Sequence, residues 1–186
     1  MTSAARELRP RRCFECGGRL RHVRKTVHYV ESGLDNVWLN NVPVWLCASG
    51  HEALDIPAVS QLHDVLADLI VKKSTPMVGA EMRFLRKRIG LTGQQFASRL
   101  GISAVHVSRL EHGRRGLQRT TDLLVRLFCA HTLADAQHRP CPPELTAILE
   151  QLESGQHPST EHWIRHHGLR RGKPVRQEWI PASATT

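Results

Sequence analysis

Hydrophobic residues recur at three- and four-residue intervals through the middle of the chain, which is the periodicity of helices. A first run from Val59 to Ile70, closed by Lys72 and Lys73, predicts a helix whose apolar stripe packs on its own domain or against a second copy. Four shorter helices are predicted after it. The hydrophobic positions and the flanking caps and glycines place them around Met82–Ile89, Gly93–Leu100, Ala104–His112 and from Thr120 or Thr121 onward, the last with a core stripe of Leu123, Leu124, Leu127 and Phe128.

The two ends of the chain have different patterns. Residues 26–30 and 42–46 are rich in β-branched and aromatic residues and predict strands, and Pro43 indicates that the second is an edge strand or starts there. Beyond residue 134, prolines predict a linker, followed by a helix at 144–152 and another at 159–167. Residues 170–186 mix basic, proline and small polar residues and are expected to be mobile.

These patterns predict a mainly α fold with a small α+β unit at the N-terminus. The expected units are a zinc-ribbon-like domain at 1–58, a linking helix at 59–73, an all-α domain at 74–134 and a partly helical or mobile extension at 135–186.

Composition and charge indicate the compartment of the protein and the kind of partner that it binds. No apolar stretch is long enough for a membrane span, and the first residues lack the apolar region of a secretory signal, so we expect a cytoplasmic protein. The net charge of +9 is concentrated in one segment. Residues 72–131 carry twelve Lys and Arg against three Asp and Glu, whereas basic and acidic residues cancel on either side. Such a local surplus is typical of a polyanion partner.

The segment from Leu91 to Gly113 has the features of a helix-turn-helix. Gly101 supplies a left-handed turn between two short helices, and Val107 and Leu110 form the buried face of the second helix. The start of the second helix then faces outward, where it can enter the major groove of DNA. The predicted contacts are made by Gln94, Gln95, Ser103, Ala104, Val105, His106, Ser108, Arg109, Arg114 and Arg115.

Arg109 is the expected base reader, because its planar fork matches the O6 and N7 acceptors of guanine. A phosphate contact or an intramolecular ion pair with Glu is the alternative for this side chain. Val105 can make only apolar contact, for example with a thymine methyl group. Arg114 and Arg115 are expected to hold phosphates, with Lys87, Arg88, Arg99 and Arg119 as further candidates.

The residues from Thr92 to Gly113 resemble the Xre/Cro-type helix-turn-helix, in particular Phe96-Ala97, Leu100-Gly101-Ile102-Ser103 and Val107-Ser108-Arg109-Leu110-Glu111. The family commonly has Gln where this chain has Gly93, and that Gln anchors a phosphate. Gln94 or free backbone N–H groups are expected to take over that contact. The resemblance implies a dimer that binds a palindromic operator in double-stranded DNA.

Cysteine spacing near the N-terminus predicts a metal site. Cys13 and Cys16 form a CxxC pair, Cys47 follows after thirty intervening residues, and His51 lies four residues beyond Cys47. Two ligands in a tight turn plus a second pair from a distant segment is the pattern of a structural zinc site, which contributes folding free energy to a small domain. The alternative is a domain that has lost its metal and is stabilised by tryptophan and valine contacts.

This block resembles the zinc-binding domain of MqsA-type (YgiT-type) antitoxins, which carry CxxCG, a second CxxCGE, a linking helix and an Xre-type helix-turn-helix. Gly50 stands where that family has its last Cys, and His51 is the expected replacement, ahead of His28 and His22. Val105 stands where those antitoxins have a base-reading Asn, so the operator sequence must differ.

The function expected from these features is sequence-specific transcriptional repression. The resemblance implies the antitoxin of a type II toxin-antitoxin pair, a bacterial nucleoid-associated homodimer that binds a cognate toxin and represses its own operon. A stand-alone Xre-type regulator with a structural or metal-sensing zinc domain is the alternative. No HExxH, GxSxG or P-loop pattern is present, so an enzyme is not expected.

Overall fold

The computed structural model describes residues 12–138, 161–167 and 178–181. These residues form one five-stranded sheet and five α-helices. The strands are β1 (Leu20–His28), β2 (Val37–Cys47), β3 (Glu52–Leu54), β4 (His162–His167) and β5 (Glu178–Pro181), and the helices are α1 (Val59–Lys72), α2 (Gly79–Arg88), α3 (Gly93–Leu100), α4 (Ala104–Glu111) and α5 (Arg119–Ala136). Within the described ranges, no helix has the length and apolar character needed to cross a bilayer.

Strand β2 is the centre of the sheet. It pairs antiparallel with β1 and β3 and parallel with β4, and β4 in turn pairs antiparallel with β5. The prediction that Pro43 marks an edge strand is therefore wrong. Pro43 instead lies next to a bulge, where Asn40 and Asn41 stand opposite the single residue Thr26 and Asn41 adopts a φ of 62°. A bulge tolerates a residue that cannot donate a ladder hydrogen bond.

Residues 162–167 and 178–181 belong to this sheet, which corrects the helix expected at 159–167. Residues 162–167 form β4, and burial alternates along them as expected for a strand. His162, Ile164 and His166 are buried, whereas Arg165 is exposed. Trp163 stacks on Trp38 of the neighbouring strand, with ring centroids 5.8 Å apart. Residues 178–181 of the tail that was expected to be mobile form β5. The helix expected at 144–152 lies outside the described residues.

The helices begin and end close to the predicted residues. Helix α1 packs on the sheet of its own chain, with Leu62, Leu66 and Ile70 fully buried. The core stripe predicted for α5 is confirmed for Phe128, whose ring packs 6.1 Å from that of Phe96 in the core, but is wrong for the two exposed leucines. Leu124 and Leu127 are 45% and 44% exposed, and Leu123 and Phe128 are half-buried. The face of α5 that packs on the core consists of Asp122, Val125, Arg126, Cys129, Ala130, Leu133 and Ala134. The hydrophobic pattern predicted the wrong face of α5 because two charged residues, Asp122 and Arg126, lie on the face that packs on the core.

Arg126 explains why a charged residue lies in that core. Its guanidinium is fully buried and donates to the carbonyls of Val71, Lys73 and Thr75 at 2.9, 2.6 and 2.7 Å, where α1 ends and the chain turns toward α2. Asp122, one turn earlier on α5, pairs with the guanidinium at 2.8 Å and also accepts from the backbone N–H of Met77. This pair fixes the link between α1 and α2 against α5 and satisfies carbonyls that the helix end leaves free.

Glu81 on α2 forms a second buried cluster, which joins four parts of the chain. Its carboxylate is fully buried, pairs with Lys73 at 2.6 Å and accepts from His162 Nε2 of β4 at 3.1 Å. The amide of Asn36, just before β2, lies 3.5 Å away, and the backbone N–H of Val78 donates at 2.9 Å. Burial alone would raise the pKa of Glu81, but the His162 hydrogen bond and the Lys73 charge outweigh it, so its pKa lies below the ordinary value.

We predict that Glu81→Gln destabilises the protein by about 3 kcal/mol, because it leaves the buried Lys73 ammonium without its counter-charge. A carboxyl whose pKa is lowered by folding stabilises the folded state above its ordinary pKa, and this contribution is lost as the pH falls through the lowered value. The deficit of the variant should therefore be full at pH 7 and shrink below about pH 4. Urea unfolding measures it. The exposed Glu31→Gln is the control, and equal stabilities of Glu81→Gln and wild type at pH 7 would contradict the prediction.

Candidate nucleic-acid interface and metal centre

Helices α3 and α4 form a helix-turn-helix with both N-termini capped. The Thr92 hydroxyl accepts from the backbone N–H of Gln95, whose side chain accepts from the Thr92 N–H in return, so α3 begins with a complete capping box. Gly101 ends α3 with a φ of 67°, the left-handed conformation that a tight turn needs. Ser103 then caps α4 by accepting from the N–H of His106 at 3.1 Å.

The outward side of α4 is the predicted recognition surface. Val107 and Leu110 are buried, whereas Ala104, Val105, Ser108 and Arg109 are exposed. Val105 is 62% exposed, and Arg109 lies one turn after it on the same side. Arg109 forms no ion pair with any residue in the described ranges, so the intramolecular alternative for this side chain has no support there.

The C-terminal end of α4 is held firmly against α2. A Cβ on Gly79 would lie only 2.0 Å from the Leu110 carbonyl oxygen, so the two backbones approach to a distance that only glycine allows. The buried Glu111 carboxylate binds Arg86 through two hydrogen bonds, at 2.6 and 2.9 Å, and this pairing raises the pKa of Arg86. Arg83 donates to the Glu111 carbonyl at 3.0 Å. Helix α4 therefore has a fixed orientation relative to α2.

Segment 72–131, which contains α4, exposes basic residues and no acidic residue. All three acidic residues of segment 72–131, namely Glu81, Glu111 and Asp122, are buried and paired with cations inside the protein. The exposed charges of the segment are all positive: Lys72, Lys87, Arg99, Arg109, Arg114, Arg115 and Arg119. The charge surplus found in the sequence therefore becomes a surplus at the surface, which attracts a polyanion.

Two predicted contacts have roles inside the fold. Arg88, a candidate for phosphate contact, pairs with Asp64 of α1 instead, with Nε 3.0 Å from the carboxylate. Gln95 holds the capping box of α3, although it remains exposed, as does Gln94. Sequence reasoning missed Arg86 and Gly79, which orient α4 without facing outward. An Arg placed 25 residues before an inward Glu offers no periodicity that would reveal the pair.

At the far end of the sheet, the four predicted ligands come together. Cys13, Cys16, Cys47 and His51 place their ligand atoms within 4.8 Å of one another. The Cys16 and Cys47 sulfurs are 3.7 Å apart, and His51 Nδ1 is 3.4 Å from Cys13 Sγ. Zinc–sulfur bonds of 2.3 Å in a tetrahedron put two sulfurs about 3.8 Å apart, so the cluster has the dimensions of a site that could hold a metal ion, consistent with zinc.

Backbone turns bring these side chains together. Cys13 and Gly18 close the first turn by a 2.9 Å hydrogen bond from the Cys13 N–H. In the second turn Gly50 has a φ of 88° and donates to the Cys47 carbonyl, which directs His51 back toward Cys47. Glu15 accepts from His51 Nε2 at 3.2 Å, so the ring presents Nδ1 to the sulfurs. Gly50, which stands where the MqsA-type antitoxins have their last Cys, therefore makes the turn that lets His51 reach the cluster.

Within the cluster the electrostatics favour the thiolate of Cys16, the form of Cys that binds metal, whereas the pKa of Cys13 is raised. Hydrogen bonds from the Gly18 backbone first, and then from Ser49 and His51, lower the pKa of Cys16 to about 6. The alternative ligands are placed elsewhere. His22 packs against Trp45 and His28 stacks on Trp38, with ring centroids 5.2 and 4.6 Å apart.

We predict that Gly79→Ala destabilises the protein by about 1–3 kcal/mol, because the added methyl group collides with the Leu110 carbonyl. Gly93→Ala is the matched control, since Gly93 is also the first residue of its helix and its Cβ would meet open space. Helix propensity makes that control neutral or slightly stabilising. Denaturant unfolding of both variants checks the prediction, and a neutral Gly79→Ala would mean that α2 and α4 are not in close contact.

For the metal cluster, we expect purified wild-type protein to hold about one zinc per chain and His51→Gln to bind zinc at least about tenfold more weakly, because one of four ligands is lost. His22→Gln, outside the cluster, should bind like wild type. Elemental analysis and chelator competition measure both. Wild-type protein without zinc that folds equally well with and without added metal would refute a structural metal.

Among known protein families, the model described as a helix-turn-helix domain matches residues 78–140, which are 63 of the 186 residues. No curated protein and no solved structure matches the chain. The family match spans α2 to α5 and supports an Xre-type helix-turn-helix regulator that binds DNA. The resemblance of the N-terminal block to MqsA-type antitoxins stays a prediction.

Proposed function

We propose that this protein is a sequence-specific transcriptional repressor that reads DNA with α4. The observation that carries the proposal is the outward side of α4. Val105 and Arg109 are exposed one turn apart on a capped helix, and the exposed charges of segment 72–131 are all positive. A helix of this kind fits the major groove with its N-terminal residues against base edges. A repressor acts by occupying its operator, so tight binding is the only activity that the mechanism needs.

Within this proposal, the two kinds of contact are divided between different residues. Arg109 donates to a guanine, and Val105 packs against a thymine methyl group. Arg114 and Arg115 follow α4 in an exposed turn and hold phosphates, as do the free N–H groups of α3 near Gln94. Ser103 holds the start of α4 through its cap, so its hydroxyl acts on the helix first and on DNA second. His106 is half-buried and lies at the edge of the surface.

The metal cluster completes the proposal as a structural zinc site. Cys13, Cys16, Cys47 and His51 would hold the ion and connect the turn before β1 to the end of β2. Zinc supplies cross-linking of two distant segments and, in a complete four-ligand set, leaves no open position for a substrate. A catalytic role is therefore not part of the proposal.

We further propose that the protein acts as the antitoxin of a toxin-antitoxin pair and represses the operon that encodes both. The order of parts supports this: a Cys and His finger, a linking helix and a helix-turn-helix follow one another as in the MqsA-type antitoxins. A stand-alone regulator has the same parts. Co-purification of a small toxin encoded beside the gene distinguishes the two, because a stand-alone regulator purifies without one.

We expect Arg109→Ala to weaken binding to the operator by about 1–3 kcal/mol and to relax the preference at one base pair, since it removes a base contact. Arg115→Ala is the matched comparison, because it also removes one exposed positive charge. It should weaken binding to all sequences alike and lower the salt dependence.

Fluorescence anisotropy with operator and scrambled duplexes at several salt concentrations separates these effects. The assignment of Arg109 as the reader is refuted when Arg109→Ala loses the same binding free energy on both duplexes.

A further inference from the structure

One side of the sheet carries a column of aromatic rings that runs across three strands. His28 of β1 stacks on Trp38 of β2, and Trp38 stacks on Trp163 of β4, with ring centroids 4.6 and 5.8 Å apart and planes within 18° of parallel. Neither tryptophan belongs to the hydrophobic core, since both are half-buried, and His28 is exposed. The rings therefore form a solvated aromatic surface rather than part of the core.

The ring column is open at Trp163. The pairing of β4 with β5 begins at Ile164, opposite Pro181, so no described residue of β5 lies opposite Trp163. Residues 182–186, which follow Pro181, include no aromatic residue that could extend the column. Among the described residues, no ring covers the side of the Trp163 indole that faces away from Trp38. A planar ring of a ligand can stack there.

Two charged side chains flank Trp163 along the chain. Side chains alternate between the two sides of a strand, so Glu161 and Arg165, two positions before and after Trp163, project to the same side. Both are exposed. Glu161 Oε2 accepts from the indole Nε1 at 3.1 Å, which places the carboxylate beside the ring, and Oε1 has no hydrogen-bond partner in the part of the chain that the structure describes. The ring is thus bracketed by an acceptor and a cation.

Strand β1, at the other end of the column, is basic. Residues 17–30 contain four Lys and Arg and no acidic residue, although the two kinds of charge balance over residues 1–71 as a whole. Lys25 pairs with Glu52 of β3. Arg24 lies on the same side of β1 as His28, and its Nη1 donates to the Asn41 carbonyl at 2.8 Å. A polyanion that crosses the ring column toward β1 therefore meets positive charge.

We propose that this surface binds single-stranded nucleic acid, with an unpaired guanine stacked on the open side of Trp163. The Watson–Crick edge of guanine presents two N–H donors side by side, which suit the Glu161 carboxylate, whereas adenine has an acceptor at N1. Arg165 and Arg24 bind phosphates. Aromatic rings for the bases and basic residues for the backbone are the two features by which proteins bind unpaired strands.

This site is separate from α4, and the proposal does not rest on the proposed function. A duplex does not fit the ring column, because its bases are paired and stacked on one another and offer no free face to Trp163. Helix α4 in turn reads a groove and needs a duplex. The two surfaces therefore take different forms of nucleic acid.

Fluorescence anisotropy of the full chain with a labelled uridine oligoribonucleotide that carries one central guanosine tests the proposal. Wild type should bind it about tenfold more tightly than the same strand with adenosine at that position, since adenine lacks the N1–H donor. Trp163→Leu should weaken binding of the guanosine strand by about 10- to 100-fold, because the stacking surface is lost. Trp163→Phe keeps a ring and should retain most of the affinity.

A second variant separates base reading from stacking. Glu161→Gln should reduce the preference for guanosine to about twofold or less and leave the affinity for the adenosine strand unchanged, because an amide cannot accept two N–H bonds. Glu161 is exposed, so this test is independent of folding. Arg115→Ala, at the helix-turn-helix, is the comparison and should leave the preference for guanosine unchanged. The same strand made of DNA should bind like RNA, since no group named here contacts the 2′-hydroxyl.

Absence of a preference for guanosine, or equal binding of the guanosine strand by wild type and Trp163→Leu, overturns the proposal; a protein or another part of the chain seated on the rings gives the second result. Equal competition by guanosine monophosphate also overturns it, because the phosphates of a strand would then add nothing. Failure of the proposed function is distinguishable, since the duplex upstream of the gene is then not bound while Trp163-dependent binding of the single strand persists.

Discussion

The mutual arrangement of the sheet and the helices depends on the interactions of the buried Glu81 carboxylate. A carboxylate fully removed from water is costly unless charges and hydrogen bonds compensate it, and here the compensation comes from the end of α1, from β4, from the segment before β2 and from the start of α2 itself. Those groups can surround Glu81 only when the sheet, the linking helix and α2 have one mutual orientation. The opposite side of α2 then sets α4 through Gly79 and the Arg86–Glu111 pair.

This arrangement connects the two candidate sites without placing them side by side. The metal cluster lies at one end of β2, whereas Asn36 and the β4 contacts lie at the other end. Between them the buried residues of the sheet, α1 and the helix-turn-helix form one continuous hydrophobic core. A metal that cross-links the turns around Cys13 and Cys47 stabilises the sheet, and the sheet supplies part of the surroundings of Glu81. The proposed DNA-reading surface thus depends on the sheet through packing rather than through direct contact.

Local signals made much of this predictable from sequence. The bounds of α3 and the start of α4 follow from Thr92, Gly101 and Ser103, because caps and left-handed turns act over four residues. The ligand cluster was predicted residue by residue from spacing and from one family resemblance, and the structure brings those four side chains together. The placement of β4 was not predictable in this way, since a six-residue strand that pairs with a segment more than 120 residues earlier leaves no local trace. The stripe of α5 was misassigned for a related reason: Asp122 and Arg126 are polar in sequence but buried as a pair, so the most hydrophobic side of the helix is not the side that packs on the core.

The central claim is that α4 carries sequence-specific recognition of DNA, and binding of the purified protein to the DNA upstream of its own gene tests it most directly. We predict that the protein protects a discrete, two-fold symmetric site in a nuclease footprint at low salt. Protection of this site should persist in the presence of excess unrelated duplex. Equal binding to upstream and unrelated DNA, or no binding at low salt, would contradict the account.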